Sequence, residues 1–303
     1  MNDRGTGAAD FFQSDRPYAV HHGDCIPHMA TMPSASIDFS VFSPPFPALY
    51  AYTSSHADIG NSENLRTDAK LHLSFFFRQL ARIVKPGRAV VVHCMQIPRM
   101  KRSGEVGLHD FRGLIIRVAE RAGLVYEYDW LVAKNPQAQA IRTKSRELQF
   151  SGLESDRARQ RGVLGDYLVK LRAPGDNAVP IDTKGEVSRN EWIEWAEATW
   201  TGIRETDTLN VREGRGDDDT KHICPLQLGV IDRLVRLYSN PGELVFSPFT
   251  GIGSEGYVSL QRGRRFYGCE LKDEYHATAL RNLMRAVESR KSEQADLFQA
   301  EAV

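Results

Sequence analysis

Apolar residues recur along this chain at two spacings that alternate. Continuous runs such as Ile37 to Phe42, Ala89 to Cys94 and Leu244 to Phe246 have the length and composition of strands buried on both faces. Between such runs, apolar residues fall three and four apart. Leu226, Val230, Ile231, Leu234, Val235 and Leu237 mark one face of a helix over Leu226 to Tyr238, which Asn240-Pro241-Gly242 ends. The same period predicts helices from about Asp68 to Val84, stopped by Lys85-Pro86-Gly87, and from Phe111 to Ala122, stopped by Gly123. Pro17 to His22 reads as an edge strand, and Leu124 to Val132 and Arg265 to Cys269 as further strands. A last helix is expected over Asp273 to Val287. Strands alternating with helices predict an α/β fold.

Residues 135–220 break this rhythm. They are polar and rich in turn formers, with Tyr167 to Leu171 as one strand, expected to close the core sheet as a hairpin. Trp192, Trp195 and Trp200 cluster there. Packing of a small subdomain is the first reading of them, and base stacking the second. Another long polar segment, Tyr50 to Asn64, either folds over a bound target or is a surface loop.

Charge changes the picture locally. The whole chain balances 39 basic against 39 acidic residues, which argues against a protein that coats nucleic acid non-specifically. From Lys134 to Arg172, however, nine basic residues face four acidic ones. Arg142, Lys144, Arg146, Arg157, Arg159 and Arg161 form the middle of that stretch and are candidate phosphate contacts. No apolar run is long enough to span a membrane, and the first ten residues lack a signal-peptide core. The four cysteines are far apart and lie in or beside apolar stretches, which suits reduced thiols in the cytoplasm. The histidines show no metal-ligand spacing.

Two segments carry the chemistry. Ser43-Pro44-Pro45-Phe46 closes the strand Ile37 to Phe42. Neither proline has an N–H, so the ladder stops there and the carbonyls of Ser43 and Pro44 are left to accept hydrogen bonds. A hydroxyl, a rigid carbonyl and an aromatic ring suit a flat ring bearing an exocyclic NH2. Two hundred residues later, the strand Leu244 to Phe246 leads through Ser247-Pro248-Phe249-Thr250 into Gly251-Ile252-Gly253-Ser254-Glu255-Gly256, and Glu270 ends the next strand. Glycines between strand and helix let a ligand approach the backbone, and a carboxylate at the following strand end can accept both ribose hydroxyls. A triphosphate fits poorly, because Ser254-Glu255-Gly256 stands where Gly-Lys-Ser/Thr is needed. A nicotinamide fold needs more strands than the 47 residues after Gly256 allow. S-adenosylmethionine carries no phosphate, tolerates Glu255 and offers a ribose to Glu270.

Taken together, the segments resemble the amino-methyltransferases of DNA in their permuted beta arrangement, phage- and prophage-borne members among them. There an S/D/N-P-P-Y/F segment precedes the target-recognition region and an F-x-G-x-G segment comes near the C-terminus. His22-Gly23-Asp24-Cys25, Val84 to Arg88 and Pro225-Leu226-Gln227 fall in the expected order, so the likeness covers roughly residues 18–286. It implies a Rossmann-like, circularly permuted methyltransferase fold. Residues 18–134 become the catalytic half, 135–220 the target-recognition insert, 221–287 the cofactor half and 288–303 a flexible tail.

The resemblance also assigns roles. Ser43, Pro44, Pro45 and Phe46 hold a base flipped out of double-stranded DNA. Asp24 accepts from the cofactor's adenine amine, with Cys25 beside it. Phe249, Thr250, Gly251 and Gly253 line the methionine side, with Ser247 where many relatives have Asp. Glu270 takes the ribose, and His222 and Gln227 lie nearby. Serine at position 43 is common in enzymes acting on cytosine N4, whereas the wording of residues 42–46, 222–227 and 247–256 resembles adenine N6 enzymes. Adenine N6 is the favoured reading and cytosine N4 the alternative; an RNA or protein N-methyltransferase is a more remote one. A homodimer is expected. Gln294-Ala295-Asp296-Leu297-Phe298 resembles the peptide by which bacterial enzymes bind the replication sliding clamp, with Gln294, Leu297 and Phe298 as its anchors.

Overall fold

The continuous apolar runs pair with one another into one sheet. The computed structural model describes residues 8–47, 53, 55, 58–62, 65, 67–99, 107–137, 139, 153, 162–209 and 225–301, with 293–301 by backbone alone. In chain order the elements are α1 (Ala8–Phe12), β1 (Tyr18–His22), α2 (Cys25–Thr31), β2 (Phe39–Phe42), α3 (Asp68–Ile83), β3 (Ala89–Cys94), β4 (Ile97–Pro98), β5 (Leu108–His109), α4 (Phe111–Arg121), β6 (Val125–Val132), β7 (Asp166–Arg172), α5 (Arg189–Trp195), β8 (Thr199–Trp200), α6 (Leu228–Tyr238), β9 (Leu244–Ser247), α7 (Ser254–Gln261), β10 (Arg265–Glu270) and α8 (Asp273–Glu301).

The main sheet has the order β1-β10-β9-β2-β3-β7-β6-β8. The first five strands in that order are parallel, and β7 runs antiparallel between β3 and β6. Alternate strand residues serve opposite faces. Phe42, Val90 and Val92 pack with Leu73, Phe76, Leu80, Ile115 and Val118 of α3 and α4. Phe39, Val41 and Val91 pack on the other side with Val230, Ile231 and Leu234 of α6, Val258 of α7 and Leu283 of α8. With helices on both faces, the central strands are apolar throughout, which is why they read as runs and not as alternations.

Strand order reverses between β9 and β2. From β9 the chain moves outward through β10, and from β2 it moves the other way to β3. The carboxyl ends of parallel strands on either side of such a reversal leave a crevice. Ser43 follows β2, Pro248 follows β9, and Glu270 ends β10, so the two chemical segments open into one place.

Four sequence readings change in the structure. The three tryptophans separate: Trp195 and Trp200 are buried against α6 in the main core, while Trp192 is 54% exposed. The guanidinium groups of Arg233 and Arg236 lie over the Trp195 ring, so this part of the insert is packed onto the core and not into a subdomain of its own. Lys134 and Lys170 are buried, and Arg172, partly exposed, is paired. Lys134 pairs with Asp166 at 2.7 Å, and Lys170 and Arg172 both pair with Glu127. The helix expected from Leu226 starts at Leu228, because Gln227 is its N-terminal cap. The last helix runs on from Val287 to Glu301, so the backbone of the expected tail is helical to that point.

Arg142, Lys144, Arg146, Arg157, Arg159, Arg161 and His222 lie outside the described residues, as do the side chains of Gln294, Leu297 and Phe298. Among the described residues, no helix is long and apolar enough to cross a membrane.

Candidate active site

A cavity of about 640 Å³ occupies the crevice. Ser43, Pro44, Pro45 and Phe46 form part of its wall, and Asp24, Cys25, Gln227, Phe249, Thr250, Gly251 and Glu270 form another. Thr53, Asp58 and Ile59 reach it from the polar loop after β2, which therefore borders the site. Asp58 holds that loop in shape, accepting from the N–H of Thr53 at 2.8 Å and of Gly60 at 2.9 Å.

The glycine loop is built as its spacing implies. Gly251 and Gly253 have φ of 54° and 92°, left-handed conformations that favour glycine. A side chain on Gly251 would meet nothing within 4 Å, so its face is open. On Gly256 a Cβ would lie 2.5 Å from Leu283 Cδ2 and 2.6 Å from Phe266 Cδ1, so this glycine lets α7 pack closely against β10 and α8. Glu270 holds the loop from below. Its Oε2 accepts from the N–H of Gly251 at 2.7 Å and its Oε1 from that of Lys272 at 2.9 Å. Replacing Gly251 by Ala is expected to cost about 1 kcal/mol through its left-handed backbone. The loop then sits off its ligand-ready position, and affinity for S-adenosylhomocysteine should fall about fivefold by calorimetry.

The assigned side chains do more structural work than the motifs suggested. Asp24 Oδ1 caps α2, accepting from the N–H of Ile26 at 2.9 Å. Phe249 packs on Phe42 and Phe76, with ring centroids 5.8 and 5.1 Å away. Phe46 is buried and steadied by Phe111 at 5.8 Å. Ser247 is fully buried behind the loop. Burial pushes the Cys25 thiol well up, with Cys269 and Asp24 adding to it, so it is no nucleophile.

Three buried polar atoms around the glycine loop have no partner: Gln227 Oε1, Ser247 Oγ and Ser254 Oγ. Native proteins rarely leave such atoms unpaired, so water or a polar ligand is expected against them. Glu255 is also buried here, and burial, aided by Glu270, pushes its carboxyl up to about 8. Burial raises Glu270 to about 7 against the N–H groups that hold it. A largely apolar cavity with two desolvated acids beside unsatisfied hydroxyl and amide oxygens suits a ligand that donates hydrogen bonds and carries positive charge.

The sequence reading missed His93, Lys134, Asp166 and Glu255 as site residues. Strand register was the available signal. Phe42 pairs with Val92, which sets Ser43 beside His93. Val132 pairs with Asp166, which brings Lys134 to the same end. The contacts that follow join residues up to 73 positions apart and could not be counted off along the chain.

Fold and site define an α/β protein with a crevice at the carboxyl ends of its parallel strands, where a glycine loop and a Ser-Pro-Pro-Phe turn line one cavity. The family model described as DNA methylase, of the N6/N4 type, matches residues 37–281, and the chain belongs to that family. Among curated proteins, the type II methyltransferase M1.MboII of Moraxella bovis is 41% identical over 54 residues. The DNA adenine methyltransferase YhdJ of Escherichia coli K12 is 34% identical over 67 residues. These matches span 18% and 22% of this chain and only 21% and 23% of those relatives. Among solved structures, a DNA modification methylase from Thermus thermophilus in complex with S-adenosyl-L-methionine has 20% identity and a TM-score of 0.66. That similarity covers 89% of this chain and 94% of the other. The cytosine-N4-specific PvuII DNA methyltransferase has 16% identity and a TM-score of 0.63, covering 91% and 92% of the two chains. These structural likenesses establish the fold.

Proposed function

We propose that this protein transfers a methyl group from S-adenosylmethionine to the exocyclic amine of a base flipped out of double-stranded DNA. The observation that carries the reading is the shared cavity: the Ser43–Phe46 turn and the Gly251–Glu255 part of the glycine loop both line it, as does Glu270, which holds that loop. S-adenosylmethionine supplies an electrophilic methyl group on a positively charged sulfur. The residues present fit it. Glu270 and Gly251 stand where a ribose and its neighbouring backbone contacts are needed, and Gln227, Ser254 and Glu255 offer acceptors to an ammonium.

An aromatic amine is a poor nucleophile because its lone pair is delocalised into the ring. Acceptors at Ser43 Oγ and the Pro44 carbonyl draw on its N–H bonds and favour a pyramidal nitrogen. They also stabilise the positive charge that develops there, and because they are fixed in advance they cost little reorganisation. Phe46 offers the base an aromatic surface. The two prolines keep the acceptors still, so binding leaves the nitrogen close to its line of attack.

Adenine N6 is the favoured target, supported by the wording of residues 42–46 and 247–256 and by the likeness to an adenine methyltransferase over 67 residues. Cytosine N4 is the second reading, supported by serine at position 43. DNA from cells expressing the protein, digested to nucleosides and weighed by mass spectrometry, is expected to contain N6-methyladenine above the level in control cells. N4-methylcytosine alone would reverse the choice of base, and the absence of any methylated base would sink the reading.

A further inference from the structure

Four side chains at the catalytic end of the cavity, three of them buried, form one hydrogen-bonded row. Ser43 Oγ is 3.1 Å from His93 Nδ1, and His93 Nε2 is 2.8 Å from Asp166 Oδ2. Lys134 Nζ lies 2.7 Å from the same carboxylate oxygen. The His93, Asp166 and Lys134 side chains are 11%, 8% and 3% exposed, and all four residues line the cavity.

The row has a direction. Burial pushes the Asp166 carboxyl up, but the Lys134 charge and the hydrogen bonds from His93 and Lys134 pull it down, so it is held as the anion. A carboxylate anion can only accept, so His93 Nε2 must carry the hydrogen and donate to it. A neutral imidazole has one N–H, which leaves Nδ1 as an acceptor. The Ser43 hydroxyl therefore donates to Nδ1, and its lone pairs are left for the cavity.

We propose that the His93–Asp166–Lys134 row fixes Ser43 as a hydrogen-bond acceptor toward the target amine and that His93 receives the proton the amine must lose. This rests on the methyl-transfer reading. As the nitrogen–carbon bond forms and the sulfur–carbon bond breaks, the positive charge passes from sulfur to nitrogen. An N–H bond of that nitrogen then breaks. Its proton goes to Ser43 Oγ while the serine's own proton moves to His93 Nδ1. The imidazolium is held against Asp166, which stays ionised because Lys134 neutralises it, and later gives its proton to water. The row also accounts for serine at a position where related segments carry Asp. A carboxylate accepts without help, whereas a hydroxyl can point either way until a partner orients it.

Two measurements test this. In the ligand-free protein, long-range nitrogen–proton NMR should show His93 as the Nε2–H tautomer; an Nδ1–H tautomer overturns the proposal and needs no substitution to be seen. Kinetically, His93→Gln should lower kcat for DNA methylation about 100-fold. Its affinity for S-adenosylhomocysteine should stay within about twofold of the parent by calorimetry, which also shows that the site is folded. Asp166→Asn is the second variant. Lys134 and His93 share one carboxylate oxygen, so the amide keeps its oxygen toward both; the negative charge that holds the imidazolium is lost, and kcat should fall with the carboxylate's shape kept. An active parent whose His93→Gln variant keeps kcat within about threefold overturns the row alone. A parent that binds S-adenosylhomocysteine yet methylates no DNA overturns the methyl-transfer reading, and the row with it.

Discussion

Ser43→Ala is expected to lower kcat for DNA methylation by about 10²–10³, the usual loss when one preorganised partner of a developing charge is removed. Ser43 lies where β2 ends, beside β3, and its hydroxyl faces the cavity and His93. Alanine keeps the backbone and the prolines, so the Pro44 carbonyl and Phe46 stay in place. The lost acceptor matters most as charge develops on nitrogen, so kcat should fall far more than the KM for either substrate rises. Cofactor affinity should be nearly unchanged, because the glycine loop approaches from β9 on the opposite wall. Single-turnover transfer of a labelled methyl group, paired with calorimetric binding of S-adenosylhomocysteine, separates the two effects. A rate within about threefold of the parent would show that position 43 is not part of the chemistry.

Glu255→Gln is expected to stabilise the ligand-free protein at pH 8.5 by an amount on the order of 5 kcal/mol, measured by urea denaturation. Burial holds this carboxyl at about 8 against an ordinary 4.5, with Glu270 adding to the effect. For a group raised in the folded state, the contribution to stability is full below the unfolded value and is lost as pH rises through the folded one. The parent should therefore lose stability from about pH 4.5 to 8, and the variant should lose less of it. Near pH 4.5 the two should coincide, since Glu255 is then protonated in the fold and the amide resembles the acid in size. The same substitution should weaken S-adenosylmethionine binding at pH 8, because an ammonium or sulfonium brought near an ionised Glu255 offsets the cost of its burial. Equal stability of variant and parent at pH 8.5 would mean that Glu255 is already hydrated or paired in solution. The location of this cost is informative: the acids that destabilise the empty fold line the cavity where the ligand is proposed to bind.

The parts legible in the sequence were those set by neighbours along the chain. The central strands are buried on both faces by helices, so each appeared as an unbroken apolar run, and the helices between them kept their period. Ser43 to Phe46 and Gly251 to Gly256 were legible because proline and glycine restrict or free the backbone residue by residue, whatever surrounds them. Less legible were parts whose meaning depends on what packs against them. Trp192 and Trp195 share one short helix, but only Trp195 faces α6, and spacing could not tell which residue would be covered. Lys134 counted as one more positive charge in a basic stretch until β6 and β7 paired and set it against Asp166. His93 was one residue of a buried strand until β2 lay beside β3 in register and put Ser43 next to it. The sequence by itself determined the elements, the two rigid turns and the class of ligand they suit, because those follow from local backbone chemistry. Only the tertiary structure decided which charged and hydroxyl groups meet, because a hydrogen bond acts over about 3 Å while the residues that share it are scattered along the chain.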